Sequence, residues 1–272
     1  MRCFTFQQRT ATKMARSPSA ITLAVWKALF LREAVGRLFS GRATWFWLLA
    51  EPMFHVAYLV FIFTGIRVSN IGGIDTTIWI MVGMLAYFMF NRTGTQVKNA
   101  INANQALFAY RQVKPVDTVL VRGALEGFLM IIISSILLMC AALFNHPITP
   151  SNPLAVLEAF FGLWLVGMGF GLVASIFSEL VPELGRVINL IMMPLYMISG
   201  VMFPIATVPQ PYRDWLLLNP VAHGLEAARL GFAGNYHAVP ELSIAYIYSF
   251  ALVSIFLGLA LHRRFAQRLT TK

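Results

Sequence analysis

The sequence predicts an all-α polytopic membrane protein with six transmembrane helices, an N-terminal interfacial helix and an extracytoplasmic re-entrant helical hairpin before the last span. Three observations carry this. Hydrophobic residues make up 58% of the 272-residue chain and charged residues 12%, against about 45–50% and about 25% in a soluble domain. Mean hydropathy is +0.70. Apolar runs of about twenty residues, the length a helix needs to cross about 30 Å of hydrocarbon, fill most of the chain and leave no stretch for a separate soluble domain. Finally, Lys and Arg are distributed unevenly between alternate sides of those runs.

Residues 1–19 read as a polar, basic cytoplasmic tail. They lack an apolar h-region, so no cleavable signal peptide is expected and insertion falls to the internal spans. Residues 20–43 follow as an interfacial helix: Ala20 to Leu31 are largely apolar, but Lys27, Arg32, Glu33 and Arg37 would each cost about 2.5–3.5 kcal/mol near a span centre. The transmembrane domain occupies 44–272, with spans near 44–66, 76–92, 118–143, 154–177, 187–206 and 242–262. Of twenty-one Lys and Arg, eighteen lie in 1–43, 92–122, at Arg186 or in 263–272. The other side holds only Arg67, Arg213 and Arg229. The positive-inside bias therefore places both termini in the cytoplasm, as an even number of spans requires.

The re-entrant region, 199–241, carries Pro204, Pro209, Pro211 and Pro220 between apolar stretches too short to cross. Asn219-Pro220, then Val221 to Leu230 and Gly231, reads as a short helix with Asn capping its start, Pro in its first turn and Gly at its end. Irregular backbone at membrane depth is tolerated only where protein or water covers it.

In the first span Trp47, Glu51, Phe54, Tyr58, Phe61 and Gly65 alternate steps of four and three and share one helical stripe, while Leu49, Met53, Val56, Val60 and Phe63 line another face. A carboxylate inside a span is expensive unless it faces protein or water, so Glu51 is expected to point the stripe inward, with His55 one turn on as its hydrogen-bond partner. The stripe reads either as packing against neighbouring helices or as an aromatic wall for a sugar-like polymer. In the fifth span Asn189, Met193, Tyr196, Gly200 and Phe203 repeat the spacing, as a second wall or a packing face. Gly167, Gly169 and Gly171 lie within an apolar span, without the strand and acid of a dinucleotide fingerprint; close helix packing accounts for them.

Residues 95–117 form a basic cytoplasmic loop with room for a short helix. Pro115 biases Lys114 away from helix and Asp117 is placed to cap the next span. The loop is either simply solvated or a docking site for a cytosolic motor through Asn104, Phe108, Tyr110, Arg111 and Lys114. His223, Glu226 and Arg229 fall at three-residue spacing on the re-entrant helix; an ion pair between Glu226 and Arg229 is expected there, and no metal site. Cys3 and Cys140 are too few for a disulfide framework. The formal charge of +10 falls between and outside apolar spans, where anionic headgroups explain it and nucleic acid is not needed. The chain carries no Walker A sequence, nucleophile elbow or H-E-x-x-H, so it is not expected to be an enzyme. An ion-coupled carrier or channel acting alone would be expected to show more paired charges and broken helices near the midplane.

The order of these features resembles the ABC-2 type permease family. Within it the likeness is to capsular polysaccharide export permeases of the KpsM type, carried by YRQVKPVDTVLVR at 110–122, LNPVAHGLEAARLGF at 218–232 and WLLAEPMFHVAYLVFIF at 47–63. The resemblance implies a homodimer bound to two ATPase subunits that hold the ATP and Mg, with no cofactor in this chain. It implies a central passage lined by the first and fifth spans. It also implies a lipid-linked polysaccharide as cargo, a periplasmic adaptor, an outer-membrane channel and a bacterial inner-membrane location. Related permeases export O-antigen, teichoic acids and drugs through similar frameworks, so these remain alternative cargoes.

Overall fold

A computed structural model describes residues 18–39, 41–66, 70–110 and 112–270. Cys3, Arg111 and nearly all of the expected N-terminal tail lie outside them. The chain runs through α1 (Pro18–Phe39), α2 (Thr44–Gly65), a two-stranded antiparallel ribbon β1 (Asn70–Ile71) and β2 (Ile74–Asp75), α3 (Thr76–Lys98) and the short α4 (Ala100–Ala103). A 3₁₀ turn (Gln105–Ala109) leads to α5 (Pro115–Leu143), α6 (Pro153–Leu180) and α7 (Pro182–Ile198). Then come α8 (Tyr212–Leu216), α9 (Pro220–Phe232) and α10 (Ile244–Thr270).

Local chemistry fixes the helix starts. Pro occupies the first turn of α5, α6, α7 and α9, where its missing N–H costs nothing. Asp75 caps α3 by accepting from the amides of Thr77 and Ile78 at 3.0 and 3.2 Å. Asn152 and Asn219 cap α6 and α9 in the same way. Lys114 is extended, as Pro115 requires. α5 therefore begins at 115 rather than 118, and Asp117 acts from inside its first turn, accepting from the Lys114 amide at 3.1 Å.

Among the described residues four helices, α2, α5, α6 and α10, are long and apolar enough to cross a bilayer. α3 has 23 residues but carries Arg92 and Lys98, and α7 has 17, with Glu183 and Arg186 near its start. The core forms around α3, in which nearly every residue from Thr76 to Phe90 is buried under α2, α5, α6 and α9. Gly167 and Gly171 of α6 lie where a Cβ would come within 2.7 Å of the Phe90 carbonyl or 2.5 Å of Val97 on α3, while Gly169 faces Ser254 on α10. These glycines are the packing surfaces their setting predicts.

α7 and α9 also depart from their expected boundaries. α7 starts five residues earlier than 187 and stops at Ile198, because Gly200 turns the chain at φ +76, a left-handed conformation that glycine adopts without strain. α9 does not end at Gly231 but runs to Phe232. The carbonyls of Gly231 and Phe232 accept from the amides of Asn152 and Ser151, both at 2.9 Å. Gly231 thus lets the start of α6 approach and cap the end of α9.

Candidate substrate passage and its cytoplasmic anchorage

α2 lays Pro52, Val56 and Leu59 against the core. That leaves Trp47, Phe54, Tyr58 and Phe61 exposed on the opposite side, with Glu51, whose side chain is 79% exposed. The expectation that Glu51 faces into the chain is therefore corrected: the whole stripe faces outward. Glu51 sits about 10 Å along the helix from Thr44, with its carboxylate open on the outer face rather than enclosed by the chain. Its nearest cation is Arg92, at 3.9 Å. His55 does not serve it; its ring packs on Phe88 and Tyr196, with Tyr196 Oη 3.5 Å from Nε2. Trp47, Glu51, Phe54, His55 and Tyr58 line an open concavity of about 620 Å³.

Of the fifth-span residues, Tyr196 joins this face through His55, and Met193 is exposed beside it on α7. Asn189 accepts a hydrogen bond from Lys98 Nζ, and Tyr87 Oη donates to the Met192 carbonyl at 3.0 Å, so α7 is fastened to α3. Phe203 lies beyond the Gly200 turn and does not continue the helical stripe.

Arg32, Glu33 and Arg37 of α1 meet partners in the elements behind it. Trp26 Nε1 donates to Asp117 at 2.9 Å, Glu33 lies 3.7 Å from Arg122, and Arg37 pairs with Glu126 at 2.5 Å while also bonding Gln96. Arg92 Nε donates to the other Glu126 oxygen at 3.0 Å. Asn104, expected to meet a motor, is 2% exposed and faces α1. Its amide donates to Glu33 at 2.7 Å and its carbonyl accepts from Arg32 at 2.9 Å. Phe108 packs on the apolar cluster around Val97 and Ile101. Tyr110 and Lys114 are left pointing outward.

On α9, His223, Glu226 and Arg229 are all buried. Arg229 pairs with Glu226 at 3.3 Å, as expected, donates to the carbonyls of Gly200 and Val201 at 2.8 and 3.1 Å, and stacks 3.6 Å over the Trp79 ring. Tyr236 Oη donates to Glu226 at 2.9 Å. His223 stands apart from this pair: Nε2 meets the Leu217 carbonyl at 2.8 Å and Nδ1 accepts from the Ser243 amide at 3.2 Å.

The model of the ABC-2 type transporter family matches residues 24–233, from α1 to the end of α9. The chain belongs to that family. It is 32% identical to the polysialic acid transport protein KpsM of Escherichia coli over 92% of this chain and 96% of the relative. It is also 27% identical to the capsule polysaccharide export inner-membrane protein CtrC of Neisseria meningitidis, over 88% and 90%. With the capsule polysaccharide export inner-membrane protein BexB of Haemophilus influenzae it shares 25%, over 91% and 93%.

For this ABC-2 chain, sequence reasoning missed the buried ion cluster. Arg122 and Glu126 are one turn apart on α5 but take different partners: Arg122 goes to Glu33 and Gln96, Glu126 to Arg37 and Arg92. The available signal was a carboxylate eleven residues inside an apolar span, which demands a partner. Glu126→Ala strands two guanidinium groups and is expected to cost about 3–5 kcal/mol, read as a lower melting temperature in detergent. An unchanged melting temperature would mean that the cluster contributes no stability.

Proposed function

We propose that this chain is the transmembrane subunit of an ATP-driven ABC exporter that moves a lipid-linked capsular polysaccharide across the bacterial inner membrane. The observation that carries the proposal is similarity along 92% of the chain to a polysialic acid transport protein, together with the same class of names on the other relatives. The outward stripe supports it physically. Trp47, Phe54, Tyr58 and Phe61 present ring faces on which the apolar faces of pyranoses stack, and Tyr and Trp also tolerate a wet neighbour.

In this reading two copies place their α2 and α7 faces around a common passage, with Met193 and Tyr196 beside the stripe. α2, α3, α5, α6, α7 and α10 make six crossings, α7 being about 26 Å long and completed by the 199–203 turn. The segment up to α9 is re-entrant on the extracytoplasmic side, and the eighteen-to-three charge bias puts both termini inside. Two separate ATPase subunits hold ATP and Mg against the loop at Tyr110, Arg111 and Lys114. A periplasmic adaptor and an outer-membrane channel receive the polymer. Cysteines placed at Gly73, Ser151 and Gly234 are expected to label from outside and one at Thr95 from inside; labelling of Gly234 from the cytoplasm would overturn the last two crossings.

The decisive test is export. Trp47→Ala, Phe54→Ala, Tyr58→Ala and Phe61→Ala are expected to reduce surface polysaccharide several-fold while expression and self-association stay at wild-type levels. Equal losses from Leu49→Ala and Val60→Ala would assign the face to packing.

A further inference from the structure

α5 and α6 both lie against α3 but diverge from each other along much of their length. Between them runs a groove of about 740 Å³. Its floor is Met89 of α3, and its walls are Phe128, Ile131 and Leu138 on one side and Leu157 and Trp164 on the other. Phe128, Ile131 and Leu157 are more than half exposed, so the groove opens sideways, at the depth where two of the membrane-crossing helices meet hydrocarbon. Ser134 and Ser135 stand in the wall, where longer side chains would fill the space.

One end is shut. Trp164 Nε1 donates across from α6 to the Gly123 carbonyl of α5 at 2.9 Å, and the ring lies where a Cβ on Gly127 would come within 2.5 Å. From Ala124 beside this end to Leu138 the groove follows α5 for about 21 Å, and from Trp164 to Val156 it follows α6 for about 12 Å. That brackets the half-thickness of a bilayer core, about 15 Å.

A second copy is not the natural occupant. On α3, Tyr87 faces α7 and Met89 faces the groove, two residues or about 200° apart. The groove thus opens away from the α2–α7 face. A void of this size in hydrocarbon forfeits dispersion contacts along its whole lining. Unbranched hydrocarbon is the medium at hand with the shape to fill it.

We propose that the α5–α6 groove is a binding site for one acyl chain of a bilayer phospholipid, with the chain's methyl end against Trp164 and its headgroup toward the end at Leu138 and Val156. The crossings proposed above put that headgroup in the extracytoplasmic leaflet. The leaflet rests on that reading of the topology; occupancy of the groove does not.

The full-length chain, purified free of polysaccharide, is reconstituted in nanodiscs with phosphatidylethanolamine carrying a diazirine either at the end of one acyl chain or near the headgroup. After irradiation, adducts are mapped by peptide mass spectrometry. The chain-end probe is expected to label Gly127 and Trp164, and the headgroup-proximal probe Leu138 and Val156, each several-fold above the exposed Leu252, Val253, Phe256 and Leu257 of α10. Ser135→Phe is expected to abolish that excess and Ser135→Ala to retain it. Should Ser135→Phe fail to fold, the wild-type depth pattern still decides. Uniform labelling of α5, α6 and α10 would reduce the groove to ordinary lipid contact and overturn the site. A Ser135→Cys disulfide between two copies would overturn it in favour of a protein partner. Failure of the topology is read separately, from the cysteine labels at Gly73, Ser151 and Gly234.

Discussion

Arg229→Ala is expected to cost about 3–5 kcal/mol, enough to prevent the chain from accumulating in the membrane. Arg229 is wholly buried. Its guanidinium joins α9, through Glu226, to the Gly200 and Val201 carbonyls of the turn after α7, while its flat face covers Trp79 of α3. Removal takes the cation from the buried Glu226 carboxylate, which keeps hydrogen bonds from Tyr236 Oη and the Ile205 amide but no paired charge from Arg229, and takes donors from carbonyls in a left-handed turn. Arg229→Lys is not expected to rescue, because an ammonium cannot stack on the ring and reach three acceptors at once. Gly83→Ala tests the same cluster from the other side, since its new Cβ would stand 2.2 Å from Arg229 Nη2. Melting temperature in detergent is the measure. The double variant Glu226→Leu/Arg229→Met is expected to recover part of the loss, because replacing a whole buried pair costs far less than halving it. A wild-type melting temperature for Arg229→Ala would show that the cluster does not hold these elements together.

Such a cluster marks the boundary of what the residues announce by themselves. Glu226 and Arg229 at i and i+3 made their ion pair legible, and Asn219, Pro220 and Pro115 signalled the starts of α9 and α5, because those signals act within one helical turn. The partners Trp79, Gly200 and Val201 were not legible: they come from segments brought together only by packing. The same reason explains Glu51 and Asn104. Periodicity placed Glu51 with the aromatics correctly, but which face turns inward depends on what α3 covers, and α3 takes the Val56–Leu59 side. Asn104 looks like any solvated loop amide until α1 brings Arg32 and Glu33 beside it. Helix content and four of the six expected spans were legible because composition and hydropathy report them directly. The shortness of α7 was not, because a single glycine at φ +76 ends it where the residues beyond, Val201 to Phe203, are apolar again.

Reversing Arg111 and Lys114 together, to Glu, is expected to release the ATPase and abolish export, the largest functional loss any surface change in this chain should produce. The structure narrows where a motor can touch. Asn104 is occupied by α1 and Phe108 by the cluster around Val97, so of the described docking candidates Tyr110 and Lys114 face outward. Charge reversal there changes attraction to an acidic partner surface without disturbing the core. A push on this face would not be absorbed by the loop. Lys114 leads directly into the capped start of α5, and Asn104 clasps Arg32 and Glu33, so α1 and α5 would move together. Asn104→Ala should therefore separate the two steps, leaving the ATPase bound but lowering export per ATP hydrolysed, whereas the Arg111→Glu/Lys114→Glu variant loses the ATPase itself. Co-purification of the ATPase and its hydrolysis rate in lipid vesicles distinguish them. Wild-type values of both for the charge-reversed variant, correctly folded, would move the motor's contact elsewhere and leave the loop as solvated chain.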